Sequence, residues 1–134
     1  MLIPDINLLL YAYDAGSSFH PKAATWWETC LSGSESVGLL PCVLFGFVRI
    51  GTHARVFNHP MTAAEAAGHV RSWLAQPCAQ VLESGPDSVG VVLQLLEDLG
   101  TGGNLATDAQ IAAAALEHDA VLHTVDSDFL RFAG

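Results

Sequence analysis

The sequence predicts an α/β protein: a central, mainly parallel sheet of four to five short strands, covered on both faces by helices in three layers. Three observations carry this. Short apolar runs such as "SVGLL" and "AVLHT" alternate with longer segments whose apolar residues recur at helical spacing. Helix start and stop residues punctuate those longer segments. Hydrophobic residues make up 51% of the chain and charged residues 14%, which suits a packed core and not a disordered chain. At 134 residues the whole chain, 1–134, reads as a single domain.

The elements follow in order. Leu2–Pro4 is a buried strand ending at Asp5, and Ile6–Tyr13 continues as a helix. "SSFHPKAATWWETCLSG" supplies a serine cap, an early proline and apolar residues through Trp26, Trp27 and Leu31, and Gly33 ends it. "SVGLL" is the second strand. "PCVLFGFVRIGTHA" opens with a proline suited to a first helical turn, against the weakening effect of Gly46 and Gly51. In "MTAAEAAGHVRSWLAQ", Thr62 precedes Glu65 by three residues, which makes a capping box, and the apolar face runs through Ala66, Val70, Trp73 and Leu74. "AQVLES" is a strand and "PDSVGVVLQLLEDLG" a helix closed by Gly100. After the turn "TGGN" comes the alanine-rich helix "LATDAQIAAAALEHD", then the strand "AVLHT" and a short helix from Asp126. Strands separated by helices imply parallel pairing. "FLRFAG" leaves open whether a further edge strand forms.

Composition also limits function. Five Lys and Arg against 14 Asp and Glu give a formal charge of -9, which argues against a broad electrostatic grip on nucleic acid. The same acidity suits a site that collects cations or a basic protein partner. Cys30, Cys42 and Cys78 are odd in number and widely spaced, as expected in a reducing cytosol. The run Leu8–Tyr13 is too short to span a bilayer and no basic segment precedes it, so a cytoplasmic protein without a membrane anchor is expected.

The carboxylates carry the functional argument. Asp5 is the one charge in residues 2–13, and burying a lone carboxylate is costly unless something pairs with it. Asp5 ends the first strand, Asp126 ends the last, Asp108 lies in the first turn of the alanine-rich helix, and Asp128 follows Asp126 by two. Each taken singly is explained as a helix cap. Together they occupy the carboxyl edge of a parallel sheet, where sites form. At a separation of roughly 5 Å and an effective dielectric of about 20, each pair repels by on the order of 3 kcal/mol, more than a cap contributes. Such a cluster protonates or binds a cation. With only Arg131 beside these aspartates, a hard divalent ion such as magnesium is the expected answer.

Three blocks, "PDINLLLYA", "FVRIGT" and "TDAQIAAAALEHDAVLHTVDSDF", resemble a PIN domain, and more narrowly the VapC-type toxins of bacterial toxin–antitoxin pairs. The likeness covers essentially the whole chain. It implies a PIN-like α/β/α fold and a Mg²⁺- or Mn²⁺-dependent endoribonuclease acting on structured RNA such as transfer RNA. By the same resemblance Asp5, Asp108, Asp126 and Asp128 match the acidic motif positions, with Asp5, Asp108 and Asp126 as metal ligands. Thr124 matches the small hydroxylated residue of the last motif, and Asn7 the polar residue after the first aspartate. A homodimer is implied, together with a cognate antitoxin that lays an apolar helix in a groove and directs a basic inhibitory segment at the carboxylates.

One position departs from the pattern. Gly46 stands where the family has a glutamate, three residues before Arg49, and no acidic residue lies between Val37 and Ala64. This removes a ligand and puts a two-metal site in question. It also favours the alternative, a catalytically weak or inactive PIN-fold protein whose acidic pocket binds a basic partner. Arg49 has two open readings, a phosphate contact or a carboxylate-positioning group. Lys22 and Arg55 read as surface positions that are also available to RNA. The histidines give no compact zinc set. Trp26, Trp27 and Trp73 could stack bases, although at helical spacing among apolar neighbours they read as core or as a partner groove. A phosphatase-like hydrolase is disfavoured because Asn7, not an acid, follows Asp5 at the second position.

Overall fold

Among the described residues, four strands of three residues each form one parallel sheet: β1 (Leu2–Pro4), β2 (Val37–Leu39), β3 (Ala79–Val81) and β4 (Val121–His123), in the order β3-β2-β1-β4. The computed structural model describes residues 1–100, 102–103 and 105–124. The short helix expected from Asp126 and the further edge strand lie outside them. Register pairs Leu2 with both Val37 and Val121, and Val37 with Ala79. β3 is shorter than its apolar run, although the Leu82 amide still donates to the Leu39 carbonyl at 2.9 Å.

Six helices among the described residues connect and flank these strands: α1 (Ile6–Tyr13), α2 (His20–Ser32), α3 (Pro41–Gly51), α4 (Ala63–Leu74), α5 (Ser88–Leu99) and α6 (Leu105–Glu117). The strand order steps one way from β1 to β3, then crosses back to β4. Because parallel crossovers are right-handed, that reversal places α1–α4 over one face and α5–α6 over the other. The packing of α1 on α2 and α3, of α3 on α4, and of α5 on α6 agrees with this division.

The core lies mainly beneath the four-helix layer. Leu9, Val37, Leu39, Val43 and Phe47 are fully buried there, and Trp27 meets Trp73 edge-on with ring centroids 5.5 Å apart. The Trp73 indole N–H donates to the Tyr13 hydroxyl at 2.7 Å, which pairs a buried polar group. Trp26, the neighbour of Trp27, is only half-buried at the edge of that core.

Local signals were realised with two differences. The Thr62–Glu65 capping box forms in both directions, and Gly100 closes α5 in the left-handed conformation with φ of 74°. The N-cap of α2 is Phe19, however, and Ser17 instead accepts the Phe19 amide at 3.1 Å, bracing the turn before the helix. Leu74, expected on the apolar face of α4, is 40% exposed, because the helix buries a narrower stripe through Ala66 and Trp73. α5 contributes no buried residue, and its Val89 and Leu93 are exposed. Among the described residues, no helix is long and apolar enough to cross a membrane.

Candidate functional site at the carboxyl edge of the sheet

Parallel strands all end at one edge, and Asp5 and Thr124 are the first residues past the ends of β1 and β4. The pairing of Pro4 with His123 sets these two residues side by side. Two bonds hold them there. The Asp5 amide donates to the His123 carbonyl at 3.0 Å, and the Thr124 hydroxyl donates to Asp5 Oδ2 at 2.5 Å. The second distance lies in the range of a hydroxyl on an ionised carboxylate.

Asp5 occupies the N-cap position of α1, yet its side chain makes no capping bond. At 3% exposure it is the one buried polar or charged residue among those described. The carboxyl group thus sits where a cap would be free to act and turns to the sheet edge instead. The capping explanation for Asp5 does not hold.

Asp108 lies half-buried in the first turn of α6. α6 leads into β4 and must run back against the strand direction, so its first turn faces the edge that carries Asp5 and Thr124. Asn7 is half-buried in α1, two residues past Asp5. Arg49 is exposed in the last turn of α3 and makes no ion pair among the described residues. Asp126 and Asp128 lie outside the described residues.

Gly46 has a local physical cause. It is buried in α3, and a Cβ built on it would stand 2.5 Å from Cδ1 and 3.2 Å from Cγ1 of Ile6. The Ile6 side chain therefore fills the space that any larger residue at position 46 would enter. Sequence reading flagged Gly46 and missed Ile6, because a contact between residues forty positions apart leaves no periodic signal.

The oxygen donors here suit a hard divalent cation better than a soft one. Among the described residues, no group of three or more His, Cys, Asp and Glu side chains comes together. The histidines have other contacts: His20 Nδ1 lies 2.9 Å from the Tyr11 carbonyl, His53 Nδ1 accepts the Arg55 amide at 3.1 Å, and His69 packs on Tyr13. Burial pushes the Cys42 thiol above its usual range. Burial does the same for Cys30, reinforced by Glu35 and Cys78, so neither resembles an activated thiolate.

Beside the edge lies a cavity of about 250 Å³ between α1, α2 and the end of β4, whose wall includes Thr124. Its aromatic lining was not separable from core in the sequence, since Trp26 shares its helical spacing with buried Trp27.

Comparison with known proteins gives the chain its relatives. A sequence profile described as the PIN domain matches residues 2–134. Ribonuclease VapC33 of Mycobacterium tuberculosis is 47% identical over 133 residues, covering 99% of this chain and 93% of the relative. Among solved structures, M. tuberculosis VapC20, described as a sarcin-ricin loop cleaving toxin, superposes with a TM-score of 0.74 at 18% identity, covering 99% of this chain and 97% of that one. VapBC2 of Rickettsia felis, bound to a DNA fragment from its promoter, superposes with a TM-score of 0.66 at 16% identity, covering 98% and 92%.

Proposed function

Since the chain belongs to the PIN domain family, we propose that it is a toxin ribonuclease: a divalent-metal-dependent endoribonuclease that hydrolyses phosphodiester bonds of structured RNA, such as transfer RNA. The observation that carries this reading is Asp5. It is buried at the carboxyl edge of the sheet, bonded to Thr124 and unused as a helix cap. A relative named as a ribonuclease, matched over nearly the full chain, supports the same reading.

Asp5, Asp108 and Asp126 are the residues that would hold Mg²⁺ or Mn²⁺, with Asp128 next in rank. A bound ion of this kind activates water and offsets charge on the phosphate oxygens. Thr124 fixes the orientation of one Asp5 oxygen, so the carboxyl group is set before substrate arrives. Asn7 supports the same edge. Arg49 is exposed at the end of α3 and would serve as a phosphate contact. The reading includes a cytoplasmic setting, a homodimer, and a cognate antitoxin whose basic segment occupies the acidic edge.

The deciding experiment incubates the purified protein with total transfer RNA in Mg²⁺, Mn²⁺ or EDTA, beside Asp5→Asn. Discrete fragments are expected with either metal, none in EDTA, and at least a hundredfold less cleavage by the variant. Folded wild-type protein that cuts no RNA pool with either metal would refute the activity. The second reading, a non-catalytic partner-binding protein, would then stand. It has one specific observation in its favour, a glycine at position 46 in place of an acid, with Ile6 packed against it.

A further inference from the structure

The cavity beside the sheet edge has features that the proposed hydrolysis does not use. Tyr11 and Phe19 form one aromatic wall, with ring centroids 5.0 Å apart and tilted by 37°. Trp26 and His123 form another, 5.3 Å apart and tilted by 33°. Lys22, the one lysine of the chain, lines the same cavity and is exposed. Phe19 is 52% exposed, a large ring left in water beside a basic group. Thr124 belongs both to the cavity wall and to the bond with Asp5.

From this we infer that the cavity is a nucleobase pocket: it stacks one unpaired base of the RNA next to the phosphodiester at Asp5, while Lys22 meets a neighbouring phosphate. The inference rests on the ribonuclease reading and adds to it where part of the substrate's recognition resides. Three points favour a base over an aliphatic protein side chain. The walls are rings, which stack on any base through its π-face. The rim carries a cation in a chain with a net charge of -9, and that cation complements a phosphate. A nucleotide strand engaged at Asp5 must also place a flanking base near Thr124, because the two sites share that residue.

The test measures binding, not cleavage. Fluorescence anisotropy follows labelled five-nucleotide oligomers of adenosine, uridine, cytidine or guanosine in calcium, with intact RNA verified after each titration. A matched oligomer of abasic ribose phosphates serves as the control. Trp26→Ala and Phe19→Ala are each expected to weaken at least one base-bearing oligomer about 5- to 100-fold and to leave the abasic control unchanged. Trp26→Phe, which keeps a ring, should stay within about threefold of wild type. Lys22→Ala should weaken base-bearing and abasic oligomers alike. Wild-type binding that neither Ala variant alters would overturn the pocket assignment alone, and would leave the cavity to a protein occupant. Wild-type protein that binds none of the RNA oligomers would also overturn this inference, whereas the ribonuclease reading stands or falls separately on cleavage of transfer RNA.

Discussion

Asp5 and Gly46 show how two positions can differ in what they reveal. Asp5 could be singled out in the sequence because a lone charge in an apolar stretch demands a partner. The Thr124 hydroxyl, one such partner, lies 119 residues away in sequence. Gly46 was visible only as a departure. Its reason, the Ile6 side chain within 2.5 Å of where a Cβ would stand, required the fold. The two positions should therefore be energetically coupled. In urea unfolding, Ile6→Val is expected to cost about 1 kcal/mol on its own through a lost methylene. Combined with Gly46→Ala, it should make room for the new methyl. The double variant is expected to be at least 0.5 kcal/mol more stable than the sum of the two single changes. Strict additivity would mean that Ile6 moves aside without cost and that Gly46 is not set by packing.

Elements were legible where local chemistry decides them. The Thr62–Glu65 box forms as its spacing requires. Thr62→Ala is expected to destabilise the protein by about 1 kcal/mol, read as a lower urea midpoint with an unchanged slope. An unchanged midpoint would show that α4 is held by Trp73 alone. Strands too short to carry a period of two were still found, from apolar runs between turn residues, because both faces of a parallel sheet are covered. Helix faces were less legible. Ser17 lies three residues before the first turn of α2 and looked like its cap, but the chain makes an additional turn first. The apolar residues of α5 look like core residues and are not, because α5 rests on α6 and reaches no buried position itself. Periodicity reports that a helix has an apolar side, not whether this chain supplies what covers it.

At the scale of the molecule, charge sets how RNA would be held under the proposed function. Five cationic residues against 14 acidic ones leave no basic surface to track a backbone. Binding should then depend little on monovalent salt. A plot of log affinity against log salt concentration, at fixed divalent ion, is expected to have a slope between 0 and about -2, because each single-strand phosphate contact contributes roughly -0.7. A slope steeper than about -4 would mean a broad electrostatic footprint and would contradict this charge distribution. The order of the strands has a further consequence, in time and not in space. β4 is the last described strand along the chain, and it pairs with β1, the first. Domains begin to form from the N-terminus during synthesis. The Asp5–Thr124 bond nevertheless has to wait until residue 124 is made and has room to pair. While the chain is still being made on the ribosome it can fold its four-helix layer and yet lack an assembled site, so a toxic activity lodged there would start only after residue 124 has been made and has paired, when an inhibitor already waiting nearby could reach it first.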